Sequence, residues 1–130
     1  HKNVARVIYP TKYDGEIGKR AKKYLKGGYG GLVGIELKGG IEAGKKFIEA
    51  LKMFYHVANI GDARSLAIHP GSTTHSQLNE KELLAAGVTP GYVRLAIGIE
   101  HIDDIIEDLE QALNRASDNI ENIKKAKAVG

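Results

Sequence analysis

The sequence GDARSLAIHPGSTTHSQLNEKELLAAGVTPGYVRLAIGIE, residues 61–100, contains two short apolar runs that end in polar segments. The runs are Leu66–Ile68 and Tyr92–Ile97, and their length and composition predict strands. Binding groups commonly lie in polar loops at the ends of such elements. We therefore expect a site in this stretch. Its candidate residues are Asp62, Arg64, Ser65, His69, Thr73, Thr74, His75, Ser76 and Arg94.

The composition around this stretch is that of a globular domain. The chain has 130 residues, which is long enough to bury a core without disulfides or a structural metal. Hydrophobic residues make up 42% and charged residues 27%, both ordinary values. There is no cysteine, which excludes a disulfide framework, a thiolate nucleophile and a cysteine metal site.

Charge and hydropathy argue against two classes of partner. The net charge is only +3, aromatic residues make up 6%, and lysines cluster only at residues 19–26 and 124–127. Nucleic-acid binding is disfavoured because stacking platforms and a continuous basic stripe are both missing. No apolar run approaches the roughly 18 residues of a membrane span, so we predict no membrane segment.

The hydrophobic pattern mixes the periods of strands and helices. Strands are predicted at Val4–Tyr9, Leu32–Leu37, Ser65–Ile68 and Tyr92–Ile97, with a possible short edge strand within Tyr55–Ile60. Helices are predicted at Glu16–Leu25, Ile41–Phe54, a short segment after the capping residue Asn79, and from Ile102 onward. The last helix either continues past Ser117 or breaks there. Because the order is not a regular βαβ series, we predict an α+β domain.

Arg94 is the candidate with the most specific chemistry. In the predicted strand, Val93, Leu95 and Ile97 share one face, and Tyr92, Arg94 and Ala96 share the other. A guanidinium presents a rigid fork that holds a carboxylate through two parallel hydrogen bonds. The alternative is an arginine on a solvent-facing strand surface, which the residue pattern alone slightly favours.

The other polar residues carry weaker signals. Asp62, Ser65 and either His69 or His75 have the residue types of a nucleophilic triad, but no sharp nucleophile turn accompanies them. Two histidines six residues apart match no standard metal spacing, so we predict no metal site. The glycine pairs at 27–28, 30–31 and 39–40 lack nucleotide-binding spacing and are typical of turns. The residue types alone leave function open.

A family resemblance adds to this interpretation. The runs SLAIHPGSTTHSQL (65–78) and AGVTPGYVRLAIGIEHIDDIIEDLEQAL (86–113) resemble the C-terminal domain of the pyridoxal-phosphate enzymes of cysteine and methionine metabolism, especially the O-acetylhomoserine sulfhydrylases. Upstream motifs follow in the family's order, so the resemblance is nearly collinear from about Val4 to Leu113. They are Tyr9-Pro10, Ala21–Leu25, Lys38–Ile48 and Ala58–Leu66.

The resemblance implies an architecture. The expected fold is the small C-terminal domain of a fold-type I pyridoxal-phosphate enzyme, with a short, mostly antiparallel sheet and helices packed on one side. Residues 1–15 would be a linker from a missing cofactor-binding domain, and residues 16–113 the substrate-side domain. Residues 114–130 would be a helical extension beyond the family's usual end.

The resemblance also implies site residues and a reaction. Arg94 matches the arginine that holds the α-carboxylate of the substrate, and Ser65 a neighbour that helps to position this carboxylate; the loop Ser72–Ser76 would lie close by. The reaction would replace the acetate of O-acetyl-L-homoserine by sulfide or methanethiol, giving homocysteine or methionine. A related γ-lyase or a cystathionine synthase is the alternative within the family.

The family's cofactor chemistry is expected to lie outside these residues. The lysine that binds pyridoxal phosphate belongs to a Ser-x-x-Lys motif in the preceding domain, and no matching motif occurs here. We therefore expect no catalytic and no cofactor-binding residue in this segment, and no activity of the segment alone. Residues 11–17, TKYDGEI, also depart from the family pattern.

Two hypotheses follow for the chain as a whole. In the first it is a fragment of a cytoplasmic, homotetrameric transferase; a start at His1 rather than methionine favours this. In the second it is a free-standing descendant that lost catalysis and serves as a binding or assembly module, with the charged segment 114–127 as a partner surface.

Overall fold

The computed structural model describes the backbone of residues 1–128 and the side chains of residues 1–79 and 81–116. The described strands are β1 (Val4–Ile8), β2 (Leu32–Leu37), β3 (Tyr55–His56), β4 (Leu66–Ile68) and β5 (Tyr92–Ala96). The described α-helices are α1 (Gly15–Tyr24), α2 (Gly40–Ala50), α3 (Glu80–Ala85) and α4 (Ile102–Ala128). Short 3-10 turns occupy Pro10–Lys12 and Pro70–Ser72.

The strands form one sheet in the order β1-β2-β5-β4-β3. Every neighbouring pair is antiparallel except β3 and β4, so the expected α+β fold with a mostly antiparallel sheet is confirmed. The segment predicted as a linker, residues 1–15, includes strand β1. Val4 pairs with Leu37 and Ile8 with Gly34, so β1 is an integral edge strand of this domain.

The core lies between one face of the sheet and helices α2 and α4. Val93 and Leu95 of β5 are fully buried on this face, together with Ile35 of β2. Phe47 of α2 is 0% exposed and Ala112 of α4 is 0% exposed, so both helices pack against the sheet through small and aromatic side chains. Because side chains alternate along a strand, Tyr92 and Arg94 are directed to the opposite face.

Helix α1 lies apart from this core. Its apolar stripe remains largely accessible, with Ile17 57%, Tyr24 68% and Leu25 41% exposed. Ile17 and Leu25 instead line a groove with residues of the sheet face that is opposite to α2 and α4. The helix was correctly predicted, but its apolar stripe borders an open groove rather than the core.

Helix α2 ends at Ala50, so the predicted extent to Phe54 is wrong at its C-terminal end. The cause is Asp108 of α4, which is 6% exposed. Its carboxylate accepts the backbone N–H groups of Lys52, Met53 and Phe54, at N···O distances of 2.9, 2.9 and 3.3 Å. These amides therefore donate to a side chain instead of to helical carbonyls, and the chain turns toward β3.

Asp108 is stabilised in its charged form. Burial alone would raise the pKa of this carboxyl, but the three backbone N–H groups and the side chain of Gln111 outweigh burial and hold the pKa below its ordinary value. Gln111 donates from Nε2 both to Asp108 Oδ1 and to the carbonyl oxygen of Ala50. The end of α2, the turn after it and α4 are thus joined through one carboxylate.

A buried histidine fixes the other side of α2. The His69 ring is 0% exposed and lies directly against Gly44 of α2, where a Cβ would overlap the ring. Nε2 lies 2.8 Å from the carbonyl oxygen of Pro90, and Nδ1 lies 2.8 Å from Ser72 Oγ. A carbonyl can only accept, so Nε2 carries the proton and Nδ1 accepts from the hydroxyl.

The remaining helices agree with the sequence pattern. Asn79 caps α3 in a full capping box with Glu82, as predicted. Helix α4 continues past Ser117 without a break in the described backbone, and it carries the predicted extension from residue 114 as far as Ala128. Within the described part of the chain, none of the helices has the length and apolarity needed to cross a membrane.

Replacing Asp108 by Asn should lower the free energy of unfolding by about 2–3 kcal/mol at pH 7, because an amide cannot accept all these N–H groups. Since the folded pKa of Asp108 is lowered, its stabilisation is present above the ordinary value of 3.8 and is lost as the pH falls through the folded pKa. Urea denaturation should therefore show the difference shrinking below about pH 4. Glu107→Gln, an exposed charge change on the same helix, is the control. Equal stability of Asp108→Asn and the parent at pH 7 would contradict this role.

Replacing Gly44 by Ala should destabilise the domain although alanine is the better helix former. Overpacking against a ring held from both sides costs about 1–3 kcal/mol, while helix propensity returns at most about 1 kcal/mol. Loss of the protected His69 Nε2–H signal in nitrogen-15 NMR would report the displaced ring. Glu49→Ala, on the exposed side of α2, serves as the comparison. A stabilised Gly44→Ala variant with an unchanged ring signal would refute the packing argument.

Candidate functional site

Arg94 lies in the central part of the sheet, on the face that α2 and α4 leave uncovered. Its Nη2 donates a hydrogen bond to the carbonyl oxygen of Asn59, at 3.0 Å. Its Nε is buried and has no hydrogen-bond partner among the described residues. No carboxylate from the described residues forms an ion pair with it. The guanidinium is therefore oriented by a neutral group and keeps an unmatched positive charge.

A groove of about 490 Å³ lies beside Arg94 on this face. Its volume is in the range of small-molecule sites, which are mostly apolar with a few polar groups. Helix α1 forms one wall and strands β1, β2 and β5 form the floor. Residues that line it include Ile8, Tyr13, Ile17, Leu32, Tyr92 and Arg94.

Tyr92 pairs with Glu36 on β2, and its ring lies across Gly34, the glycine that pairs with Arg94. A Cβ on Gly34 would lie 2.8 Å from the Tyr92 ring and 3.0 Å from Cβ of Ile8. Burial raises the pKa of the Tyr92 hydroxyl, and this effect exceeds the lowering by the positive charge of Arg94. The hydroxyl therefore stays protonated and is a neutral hydrogen-bonding group next to the guanidinium.

Ser65, the second residue expected at the site, does not line this groove. It is 0% exposed, and its Oγ donates to Glu100 Oε2 at 2.8 Å and accepts from the backbone N–H of Gly98 at 3.0 Å. Its own backbone N–H donates to Glu100 Oε1 at 2.6 Å. A fully enclosed hydroxyl with these partners is not accessible to a ligand in this arrangement.

The other candidate residues do not converge. His69 is engaged by Pro90 and Ser72, whereas Asp62 Oδ1 is 3.8 Å from Arg64 Nε in the loop before β4. His75 is partly buried, and its Nδ1 lies 2.9 Å from the hydroxyl oxygen of Thr74. No nucleophilic triad is therefore assembled from them. Across the residues whose side chains are described, no group of three histidine or acidic side chains is arranged to hold a metal ion.

Two contributors to the site were not identified from the sequence pattern. Asn59 contacts Arg94 through its backbone carbonyl, which no side-chain pattern can reveal. Glu100 is the last residue of the VRLAIGIE run, and this position after the strand that carries Arg94 was the available signal. Both lie more than thirty residues from the groups that they bind.

The groove does not fit pyridoxal phosphate as a complete site. The imine of this cofactor requires a lysine, and no lysine lines the groove among the described residues. The described lysines are exposed, apart from Lys46, which is partly buried in α2. The groove therefore offers the guanidinium of Arg94 but no lysine to hold the cofactor's reactive carbon.

Known proteins are similar to this domain over most of its length. The family described as Cys/Met metabolism PLP-dependent enzyme matches residues 1–114. The O-acetyl-L-homoserine sulfhydrylase of Leptospira meyeri is 54% identical over 114 residues, covering 87% of this chain and 26% of that protein. The L-methionine gamma-lyase of Fusobacterium nucleatum subsp. polymorphum is 43% identical, covering 88% of this chain and 29% of that protein.

A solved structure gives the same result for the fold. A chain from Campylobacter jejuni, assigned as an O-acetylhomoserine (thiol)-lyase and carrying a pyridoxyl-lysine phosphate, superposes with a TM-score of 0.77 at 42% identity. The match covers 88% of this chain and 27% of that chain, so the domain spans about a quarter of the length of these relatives. The chain belongs to the family of pyridoxal-phosphate-dependent enzymes of cysteine and methionine metabolism.

Proposed function

We propose that this chain is the substrate-side, C-terminal domain of a pyridoxal-phosphate-dependent O-acetylhomoserine sulfhydrylase. In this role Arg94 binds the α-carboxylate of O-acetyl-L-homoserine, and the enzyme replaces the acetate by sulfide or methanethiol. The proposal rests on the family membership and on one observation, the unmatched charge of Arg94 beside the groove.

The unmatched charge of Arg94 has an energetic cost. A partly buried guanidinium loses hydration, and the carbonyl oxygen of Asn59 replaces only part of it. A ligand carboxylate would supply both the opposite charge and two parallel hydrogen bonds. The neutral Tyr92 hydroxyl and the apolar wall leave room for an uncharged chain such as an acetylated side chain.

The cofactor enters this proposal as a group held outside these 130 residues. Pyridoxal phosphate, when bound, supplies the electron sink for the reaction, and the protein supplies binding and orientation. We propose that a cofactor-binding domain of the same enzyme covers the open face of the sheet, with Arg94 directed toward it. This assignment leaves the isolated domain without catalytic activity. It also makes a cytoplasmic homotetramer the expected full assembly.

A γ-lyase is the second candidate because the Fusobacterium nucleatum relative with that name is also similar, at 43% identity. An arginine that binds the α-carboxylate, as proposed for Arg94, would serve both reactions. The two reactions differ in what happens to the side chain of the substrate. The greater identity to the Leptospira meyeri relative, 54%, supports the sulfhydrylase.

A non-catalytic binding or assembly module is the candidate from a different functional class. Its support is the segment beyond the family match, where α4 continues from residue 115 to Ala128. Such a module would have no requirement for the charge of Arg94, which is why substitution of this residue separates the two classes.

A domain exchange tests the proposed function directly. Residues 1–114 replace the matched segment of the Leptospira meyeri relative, and the purified chimera is loaded with pyridoxal phosphate. We expect homocysteine to form from O-acetyl-L-homoserine and sulfide, with little elimination from methionine. Faster methionine elimination would favour the γ-lyase. A chimera that folds and binds the cofactor, yet turns over neither substrate, would overturn both enzyme assignments.

Arg94→Ala in this chimera should lower kcat/KM for O-acetyl-L-homoserine by about 30-fold or more, mainly through KM. Loss of a buried charged contact costs about 2–5 kcal/mol, and each 1.4 kcal/mol is tenfold. Arg94→Lys should recover little, because an ammonium cannot form the bidentate pair. Arg6→Lys, an arginine paired with Glu36 on the same sheet, should change KM less than about twofold. An unchanged KM for Arg94→Ala would remove this residue from the substrate site.

A further inference from the structure

Glu100 joins two segments that are distant in sequence. Its two carboxylate oxygens accept the backbone N–H and the Oγ–H of Ser65, at 2.6 and 2.8 Å. Ser65 Oγ in turn accepts the backbone N–H of Gly98, at 3.0 Å. We call this set of bonds between Ser65, Gly98 and Glu100 the carboxylate clasp.

A second contact reinforces the clasp. The backbone N–H of Ile99 donates to the carbonyl oxygen of Ala63 at 2.9 Å. Gly98 lies so close to this segment that a Cβ would overlap the Ala63 carbonyl oxygen and the carbon of Arg64. The segment after β5 is therefore fixed to the base of the loop that precedes β4.

That loop carries the group that orients Arg94. Asn59 lies six residues before Ser65, and its carbonyl oxygen is the hydrogen-bond acceptor for Arg94 Nη2. Residues 59–64 contain no regular structure and are exposed. Besides the contacts at its base, this loop is held by the bond from the Arg64 N–H to Asp62 Oδ1 and by the Arg64 guanidinium over the Tyr55 ring. The position of the Asn59 carbonyl consequently depends on how firmly the base of the loop is held.

Both carboxylate oxygens of Glu100 accept hydrogen bonds from Ser65. Glu100 forms no ion pair with an arginine among the described residues. Its carboxylate therefore serves to restrain the base of the loop.

We propose that Glu100 is a positioning residue for carboxylate recognition: through the clasp it holds loop 59–65, and thereby the guanidinium of Arg94, in the geometry that accepts a substrate carboxylate. The inference rests on the proposed role of Arg94 and extends it. Ser65, predicted to help to position this carboxylate, is the residue that the clasp holds.

The first test uses the 130-residue chain and needs no activity. In Glu100→Gln the amides of Ser65 and Gly98 should exchange with solvent at least about tenfold faster, because one carboxylate oxygen is replaced by a donor. Nitrogen-15 relaxation of the Arg94 guanidinium should report greater mobility in the variant. The amides that join β2 and β5 should keep their protection. An Arg94 signal as rigid as in the parent would overturn the proposal, since a merely local structural role predicts that result.

The second test uses the domain-exchange chimera. Glu100→Gln should raise KM for O-acetyl-L-homoserine by roughly tenfold to a hundredfold, as expected for a misplaced binding group. In the Arg94→Ala background the same substitution should change KM less than about twofold, because the two effects are coupled. Glu107→Gln, on the exposed side of α4, is the charge-matched control. Additive effects of Glu100→Gln and Arg94→Ala would overturn the proposal.

The two tests separate this inference from the function on which it rests. An inactive chimera with a mobile Arg94 in Glu100→Gln contradicts the sulfhydrylase assignment and supports the clasp. An active chimera whose KM is unaffected by Glu100→Gln contradicts the clasp alone.

Discussion

The two-residue period of β5 is the constraint on which the rest of the structure depends. Val93 and Leu95 are buried against α2 and α4, at 0% and 2% exposure, so Arg94 between them has to face the other side. A slip of one residue would bury a guanidinium in the core and expose two core side chains, a change that costs several kcal/mol. Core packing and the orientation of the candidate binding group are therefore decided by the same register.

Two carboxylates stabilise the segments that the sheet and helices leave irregular. Asp108 accepts three consecutive backbone N–H groups after α2, and Glu100 accepts the backbone and side chain of Ser65 before β4. In both cases the hydrogen bonds outweigh the burial that would otherwise raise the pKa of the carboxyl, so the net pKa is lowered. A charged acceptor can hold several amides at once, which a neutral side chain of the same size cannot do. The domain thereby obtains ordered turns near its site without additional regular structure.

The sequence pattern predicted what local periodicity controls, and it missed what distant contacts control. The strands around Ile35 and Val93 and the capping box at Asn79 were predicted because neighbouring residues determine them. The end of α2 was misplaced because Asp108, more than fifty residues away, captures its next amides. Arg94 was placed on the correct face by alternation, and its role came from the family resemblance. That Ser65 is enclosed by Glu100 was not predictable, since a buried and a ligand-facing serine look alike in sequence.

The electrostatics of the open face point to a site completed from outside the described residues. Arg94 has a neutral acceptor on one side, an unpartnered Nε, and a tyrosine whose hydroxyl stays protonated. A stable domain would normally pair or fully hydrate such a charge, because an unpaired buried ion is costly. The carboxylate of Glu100 is bound to Ser65. The unmatched charge of Arg94 therefore supports the proposal that this residue binds a carboxylate.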